Sequence, residues 1–212
     1  MDKRFLAVMR ELQALVARKN GEDTLRFYHG PKHSGMVLGY VIVLAELALC
    51  SETEIEDLAR AAAGHDLEQK LGPEKNEMES MRLIGGCMRR HGYSEEEIKR
   101  TTSLVPGTIV YWVDGEMHQR AENMNHLSQI LADADLSALG ARGDDFADMA
   151  LRLMAEFAKK PISEFTKEEV IAGWKNQVKF MTGRRYLTTE AEFLFRNNFI
   201  MNLAYARRMA GM

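Results

Sequence analysis

Side chains that could bind a metal ion occur at three separate places in the sequence. Imidazole nitrogens and carboxylate oxygens hold a divalent cation when they converge from several elements, because the ion needs lone pairs from directions that no single helix supplies. Here the candidates are His29 and His33, then the pair His65-Asp66, and then Asp133 and Asp135. The sequence therefore indicates a metal site built from distant segments of the chain.

The His65-Asp66 pair lies in a context that favours burial. It follows Ala61-Ala62-Ala63-Gly64, a run of small residues that lets neighbouring backbones and side chains approach closely. Two buried polar side chains need partners, since an unpaired buried charge is costly. We expect the pair to face other members of the candidate set.

Helical periodicity dominates the elements that would position these residues. Apolar residues from Phe5 onward recur at three- and four-residue steps, which predicts an opening helix that stops by Asn20 and Gly21, before a connection over residues 23–35. The segment Ser51-Glu52-Thr53-Glu54 resembles a capping box and predicts a helix start. Further helices are predicted over residues 34–50, 51–64, 74–91, 94–102, 121–131, 144–159, 166–181 and 189–209.

Strand signals are almost absent. The exception is the β-branched and aromatic run at residues 107–113, which ends at the turn dipeptide Asp114-Gly115 and predicts a short extended loop or hairpin. We expect an all-α protein: an irregular bundle of eight to ten helices that forms a single domain over residues 1–212. Its core motifs would span 25–140, and C-terminal helices over 144–209 would pack on them.

The composition limits the classes of partner. A net charge of -3 and a pI near 6.1 provide no excess positive charge for a nucleic-acid polymer. The longest apolar stretch, residues 36–50, contains Glu46 and is shorter than a spanning helix. Cys50 and Cys87 lie inside apolar helical patterns and are expected to be reduced. With no secretory signal pattern, we expect a cytoplasmic protein without a membrane partner.

A family resemblance adds to this interpretation. The order His, then His-Asp about thirty residues on, then Asp some seventy residues later resembles the HD superfamily of metal-dependent phosphohydrolases. A larger set of segments, over about residues 25–207, resembles a bacterial branch of predicted metal-dependent phosphohydrolases. These segments are Arg26-Phe27-Tyr28-His29 with His33, Gly64-His65-Asp66, Asn76-Glu77, Asp133-Ala134-Asp135-Leu136 with Leu139-Gly140, Phe180-Met181, Arg184-Arg185-Tyr186-Leu187-Thr188 and Asn202-Leu203.

The resemblance implies roles for particular residues. It implies that His33, His65 and Asp66 are metal ligands and that Asp135 is the fourth, with Asp133 as the alternative. His29 is placed like the histidine with which cyclic-nucleotide phosphodiesterases of the superfamily protonate the leaving oxygen, a task that suits imidazole. The cofactor would be one divalent ion such as Mn²⁺, Mg²⁺, Fe²⁺, Ni²⁺ or Zn²⁺, and a second ion is left open.

The sequence departs from the family pattern at two places. Gly30 stands where close relatives commonly have Asn, and Pro31 keeps the next helix from beginning before about that residue. Residues 76–80 are acidic where relatives often have basic residues that could meet phosphate. Phosphate contacts would then come from other residues, the visible candidates being Lys32, Lys70, Lys75 and Arg82.

The function that follows is hydrolysis of a phosphoester in a small molecule, with a nucleotide as the favoured class and a metal-activated water as the nucleophile. One alternative is a metal-binding regulatory or ligand-sensing protein with little turnover. Another is a di-iron oxygenase. A homo-oligomer is left open. The extra ligands that a di-iron site requires would come from Glu68, Asp133, His118 or His126.

Overall fold

Helices form most of the structure, a computed structural model that describes residues 3–212. Within these residues there are nine α-helices and one β-hairpin, which confirms the all-α prediction. The helices are α1 (Lys3–Glu22), α2 (Pro31–Leu47), α3 (Glu52–Gly64), α4 (Lys75–Arg90), α5 (Glu95–Thr102), α6 (His126–Asp135), α7 (Gly143–Ala158), α8 (Lys167–Met181) and α9 (Thr189–Met209), and the strands are β1 (Val110–Val113) and β2 (Glu116–Gln119).

Local capping chemistry explains where several helices begin. Ser51 accepts the backbone N–H of Glu54 at 3.4 Å, and the Glu54 carboxylate accepts the Ser51 N–H at 2.8 Å. This is the predicted capping box, and the same reciprocal pair forms between Ser94 and Glu97. Each box satisfies backbone donors that the first turn of a helix leaves unpaired.

Several predicted boundaries are wrong, among them the ends of α2, at Leu47 rather than residue 50, and of α6, at Asp135 rather than residue 131. Helix α1 continues through Gly21 to Glu22, because an isolated glycine only weakens a helix. Helix α2 begins at Pro31 rather than at residue 34, because the fixed φ of proline suits the first helical position. Helix α6 begins at His126 rather than at residue 121, because Asn125 caps it by accepting the Ser128 N–H at 2.9 Å. The residues before Asn125 form a short 3₁₀ turn.

The centre of the bundle is formed by α2, α3 and α6, with α1, α4 and α5 packed against α3. The predicted small-residue run is buried at the end of α3, and a Cβ added at Gly64 would lie 2.5 Å from the Ile84 side chain. Glycine therefore allows α3 and α4 to approach just before His65. These small residues therefore allow the His65-Asp66 pair to lie close to the packed helices of the core.

The C-terminal helices pack on the segment that follows α6. Asn202 on α9 donates hydrogen bonds to the carbonyl oxygens of Leu139 and Ala141, at 2.9 and 2.8 Å. Close packing continues at Gly140, where an added Cβ would lie 2.9 Å from the Tyr186 hydroxyl. Helix α9 therefore fixes the chain just beyond the last turn of α6.

The β-branched run forms the predicted hairpin. Val110 pairs with Gln119 and Val113 with Glu116, and the turn residues Asp114 and Gly115 both have positive φ angles, of 51° and 84°. A two-residue turn of this kind matches the twist of the two strands. In the part of the chain that the structure describes, no helix is long and apolar enough to cross a bilayer, and both cysteines are free thiols.

Candidate metal centre

Two histidines reach the same point from different helices. His33 lies in the first turn of α2, and His65 is the residue directly after α3. The His65 ring holds its Nδ1 at 2.8 Å from the carbonyl oxygen of Ala62. Because a carbonyl only accepts, Nδ1 carries a proton in either form of the ring, and Nε2 is the atom that presents a lone pair when the imidazole is neutral.

Two aspartates complete the group. Asp66 Oδ2 lies 3.1 Å from His33 Nε2 and 3.0 Å from His65 Nε2. Asp135 Oδ1, at the end of α6, lies 3.0 Å from His33 Nε2 and 3.2 Å from His65 Nε2. One ligand atom from each of the four residues lies within 4.8 Å of every other. The structure therefore brings together the four residues that the sequence predicted.

The spacing and the burial of this group fit a metal ion. An octahedral ion with bonds of about 2.1 Å separates neighbouring ligand atoms by roughly 3.0 Å. The two histidines are 1% and 2% exposed, and the buried Oδ2 of Asp66 faces their Nε2 atoms at 3.1 and 3.0 Å without forming a well-aligned hydrogen bond with any described residue. Since an unsatisfied buried carboxylate oxygen is costly, a cation at this point would supply the missing partner.

The electrostatics show how strongly the four groups interact. Burial opposes a charged imidazole, yet the two carboxylates raise the pKa of His33 and raise that of His65 further. Burial alone would raise the pKa of Asp135, but hydrogen bonds from the histidines lower it to about 2. Burial also opposes the charged form of Asp66, but the positive charges of His65 and His29 hold its pKa well below the ordinary value. The two carboxylates therefore favour protonation of the histidines, and a metal cation that displaces these protons would meet the same negative charge.

Asp133 has a different environment. Its carboxylate accepts the backbone N–H of Leu187 at 2.9 Å, and the N–H and hydroxyl of Thr188, both at 2.8 Å. Burial raises the pKa of Asp133 to about 6 against these bonds. Residues two apart on a helix project about 200° from each other, so Asp133 faces the start of α9 while Asp135 faces the histidines.

His29 lies beside the four-residue group. Its ring centre is 5.6 Å from that of His33, and its Nδ1 forms a short hydrogen bond with the carboxylate of Glu156 on α7. The other oxygen of Glu156 accepts the backbone N–H groups of Tyr28, at 2.7 Å, and of His29, at 3.1 Å. The ring of His29 is therefore oriented through Nδ1, which leaves Nε2 free.

Sequence reasoning missed Glu156. Burial would raise its pKa, but the bonds from His29 and from the backbone lower it, so the carboxylate is charged. A signal was present, because Glu156 continues the buried stripe of α7 that includes Met149 and Leu153. A charged residue at a core-facing position needs a partner. Which partner it meets depends on tertiary packing.

Arg26 connects the two loops that carry the site. Its guanidinium donates short hydrogen bonds to the carbonyl oxygens of His29 and Asp66, and a longer one of 3.5 Å to that of Leu67. Arg26 is 7% exposed. Because the Arg fork is rigid, these bonds fix the two segments relative to each other.

The remaining predicted residues lie elsewhere. Of the expected phosphate contacts, Lys32 pairs with Asp148 at 2.8 Å, Lys70 with Asp23 at 3.3 Å and Arg82 with Glu79, while Lys75 is exposed at the start of α4. The hypothetical extra ligands are also engaged or exposed: Glu68 pairs with Lys19 at 2.9 Å, His118 on β2 with Glu122 at 3.0 Å, and His126 is exposed at the start of α6. None belongs to the four-residue group.

Comparison of the chain with protein-family models, curated protein sequences and solved structures gives no match. The HD-superfamily resemblance therefore stays a prediction carried by the motifs. The geometry itself defines a buried group of two histidines and two aspartates that could hold a metal ion, with a histidine-glutamate pair beside it.

Proposed function

We propose that the protein is a metal-dependent phosphohydrolase that acts on a small-molecule phosphoester, with nucleotides as the favoured substrate class. The observation that carries the proposal is the juxtaposition of His33, His65, Asp66 and Asp135 with the oriented ring of His29. Two imidazoles and two carboxylates suit Mn²⁺, Mg²⁺, Fe²⁺, Ni²⁺ or Zn²⁺. The phosphoester itself is suggested by the resemblance to the HD superfamily.

The four ligands would hold one divalent ion. When bound, the ion supplies a Lewis acid for a phosphoryl oxygen and lowers the pKa of a coordinated water. The Ala62 carbonyl keeps His65 in the tautomer that presents Nε2. Arg26 keeps the His29 and Asp66 segments at a fixed separation.

His29 would donate a proton to the leaving group, and Glu156 would orient His29. As the P–O bond breaks, the proton on Nε2 of an imidazolium His29 passes to the leaving oxygen, which departs as an alcohol. The Glu156 carboxylate forms a hydrogen bond with Nδ1 and so would orient Nε2 toward the leaving oxygen. His29 is then the general acid, and Glu156 is its positioning residue.

A metal add-back experiment tests this function. Chelator-treated protein should be inactive on a panel of nucleotides and simple phosphoesters, and Mn²⁺ or another of the named ions should restore hydrolysis. His65→Ala should abolish this recovery, whereas the exposed His126→Ala serves as the matched control and should keep it. An ion that binds tightly and supports no turnover would favour the regulatory alternative.

The general acid is tested by the choice of leaving group. His29→Ala should retain the ion but lose about 10²- to 10⁴-fold in rate on alkyl phosphoesters, since these leaving groups need a proton. Nitrophenyl phosphoesters, whose leaving group needs none, should lose much less. Equal losses on both substrates with the metal retained would contradict the role, and loss of the metal would instead make His29 a ligand.

A further inference from the structure

Arg184 is a partly buried cation with no carboxylate partner. It lies between α8 and α9, where its Nη2 donates to the Gln119 side-chain oxygen at 2.5 Å and its Nη1 lies 2.7 Å from the Met117 sulfur. Both of these neighbours are neutral. Within residues 3–212, no salt bridge involves Arg184, and its Nε is buried without a hydrogen-bond partner.

This arrangement is costly for the protein alone. Burial lowers the pKa of Arg184 to about 10, although nearby acidic groups act in the opposite direction. The guanidinium is therefore still charged at neutral pH. The guanidinium lies 5.4 Å from the centre of the Phe180 ring, a cation–π contact that offsets part of this cost, but its hydrogen bonding is incomplete and no opposite charge is bonded to it. Such a group is suited to receive an anion.

Two sets of contacts hold Arg184 against the last turn of α6. On one side, Gln119 donates from its amide to the Ala132 carbonyl oxygen at 3.3 Å. On the other side, the chain just after Arg184 is bonded to Asp133 through Leu187 and Thr188. The same turn of α6 carries Asp135, whose charge acts on the guanidinium. Arg184 therefore lies beside the turn of α6 that ends in Asp135.

Three of the four other basic residues considered for phosphate are already paired, and the fourth, Lys75, is exposed at the start of α4. Lys32, Lys70 and Arg82 each have a carboxylate partner, and all three are largely exposed. An anion at these positions would have to displace an existing partner. At Arg184 the Nε has no hydrogen-bond partner among the described residues, so an anion that reached it would not have to displace a carboxylate.

We infer that Arg184 is a binding residue for the phosphate group of the substrate, contacting an oxygen at the side of the metal centre that α6 borders. The inference rests on the proposed function, since it names a residue that recognises the substrate of that same site. The planar guanidinium fork suits a phosphate better than a lysine would. Met117 and Gln119 of the hairpin would fix the position of the guanidinium.

Inorganic phosphate is the probe for the test. Calorimetric titration into the Mn²⁺-loaded protein should give a dissociation constant that rises about 10- to 100-fold in Arg184→Met, as expected for loss of a charged hydrogen bond. The affinity for Mn²⁺ should stay unchanged. Arg185→Met, which alters the exposed neighbour, is the matched control and should bind phosphate like the parent protein.

Stability separates this role from a structural one. If Arg184 serves a ligand, Arg184→Met removes an uncompensated charge, and the phosphate-free variant should melt no lower than the parent. Arg184→Lys keeps the charge but loses the fork, so it should also bind phosphate more weakly than the parent does. Parent-like phosphate affinity in both Arg184 variants would overturn the inference.

The two proposals can fail separately, because phosphate binding does not require turnover. Hydrolysis by the parent protein together with parent-like phosphate affinity in the Arg184 variants would refute the Arg184 role and leave the function standing. Phosphate binding that depends on Arg184, without turnover of any phosphoester, would support the binding role and refute the hydrolase.

Discussion

Asp133 and Asp135 lie two residues apart on α6, and we expect their substitution to fail in different ways. Asp133→Ala removes the acceptor for the backbone N–H of Leu187 and for the N–H and hydroxyl of Thr188. Thr188 is 3% exposed and also caps α9, so water does not readily replace the lost bonds. The variant should therefore lose stability.

The expected size of the loss follows from these contacts. A buried donor without a partner costs about 1–3 kcal/mol, and loss of a buried carboxylate that several donors share costs about 3–5 kcal/mol in total. For a chain of this length, 1 kcal/mol corresponds to about 2–4 °C. Asp133→Ala should therefore melt about 10 °C below the parent in the presence of a chelator.

Asp135→Ala should show the opposite pattern. It loses one of the four ligand atoms, so Mn²⁺ should no longer raise the melting temperature by mass action. Asp133→Ala should keep that rise from its lower starting point. Calorimetric melting of both variants, with chelator and with Mn²⁺, measures both effects.

Asn variants at the same positions provide the controls. Asp133→Asn keeps one side-chain oxygen and should lose less stability than Asp133→Ala, while Asp135→Asn should still bind Mn²⁺ weakly. A full Mn²⁺-induced rise in Asp135→Ala would refute the assignment. So would an Asp133→Ala variant that melts like the parent in chelator and no longer responds to Mn²⁺.

Three further predictions follow from the contacts around the site. Glu156→Gln should retain the ion but lower the turnover of alkyl phosphoesters by about 10²-fold, because His29 loses the carboxylate that orients its ring; a changed metal content would contradict this. The pKa values of His33 and His65 are raised on folding, so their protonated rings stabilise the metal-free protein. This contribution is complete below their unfolded pKa of about 6.5 and is lost as the pH rises through the folded pKa values. Since Mn²⁺ must displace those protons, its affinity should rise with pH until the pH passes the folded pKa values, with proton release visible by calorimetry in buffers of different ionisation enthalpy. Gly64→Ala should destabilise the protein by about 1–3 kcal/mol through its clash with Ile84, whereas Gly39→Ala, with open space around its Cβ, should not.

Most of the helical framework could be predicted from the sequence, because local rules determine it. The capping box at Ser51 and the hairpin turn at Asp114-Gly115 depend on residues next to each other in the chain. The start of α6 was misplaced because Asn125 caps a helix only once the preceding residues have formed a 3₁₀ turn after β2. That turn is set by the hairpin and not by periodicity.

The candidate site was predictable in part. The order and type of the four ligand residues are visible in the sequence, and the choice of Asp135 over Asp133 came from the family resemblance. Helix geometry adds only that two residues so close on α6 cannot both easily face one ion. Glu156 and Arg184 could not be assigned, because their partners lie on other elements. The contact between Glu156 and His29 depends on how α7 packs against the loop before α2. The absence of a carboxylate partner for Arg184 among the described residues depends on the packing of several elements around it.

The measurement that tests the central claim most directly is the anomalous scattering of crystals grown with Mn²⁺. We predict one strong peak about 2.0–2.3 Å from Nε2 of His33, Nε2 of His65, Oδ2 of Asp66 and Oδ1 of Asp135. We also predict that the peak is lost in crystals of His65→Ala. An ion bound by other residues, or none between these four in Mn²⁺-saturated crystals, would contradict the metal centre and the hydrolytic function built on it.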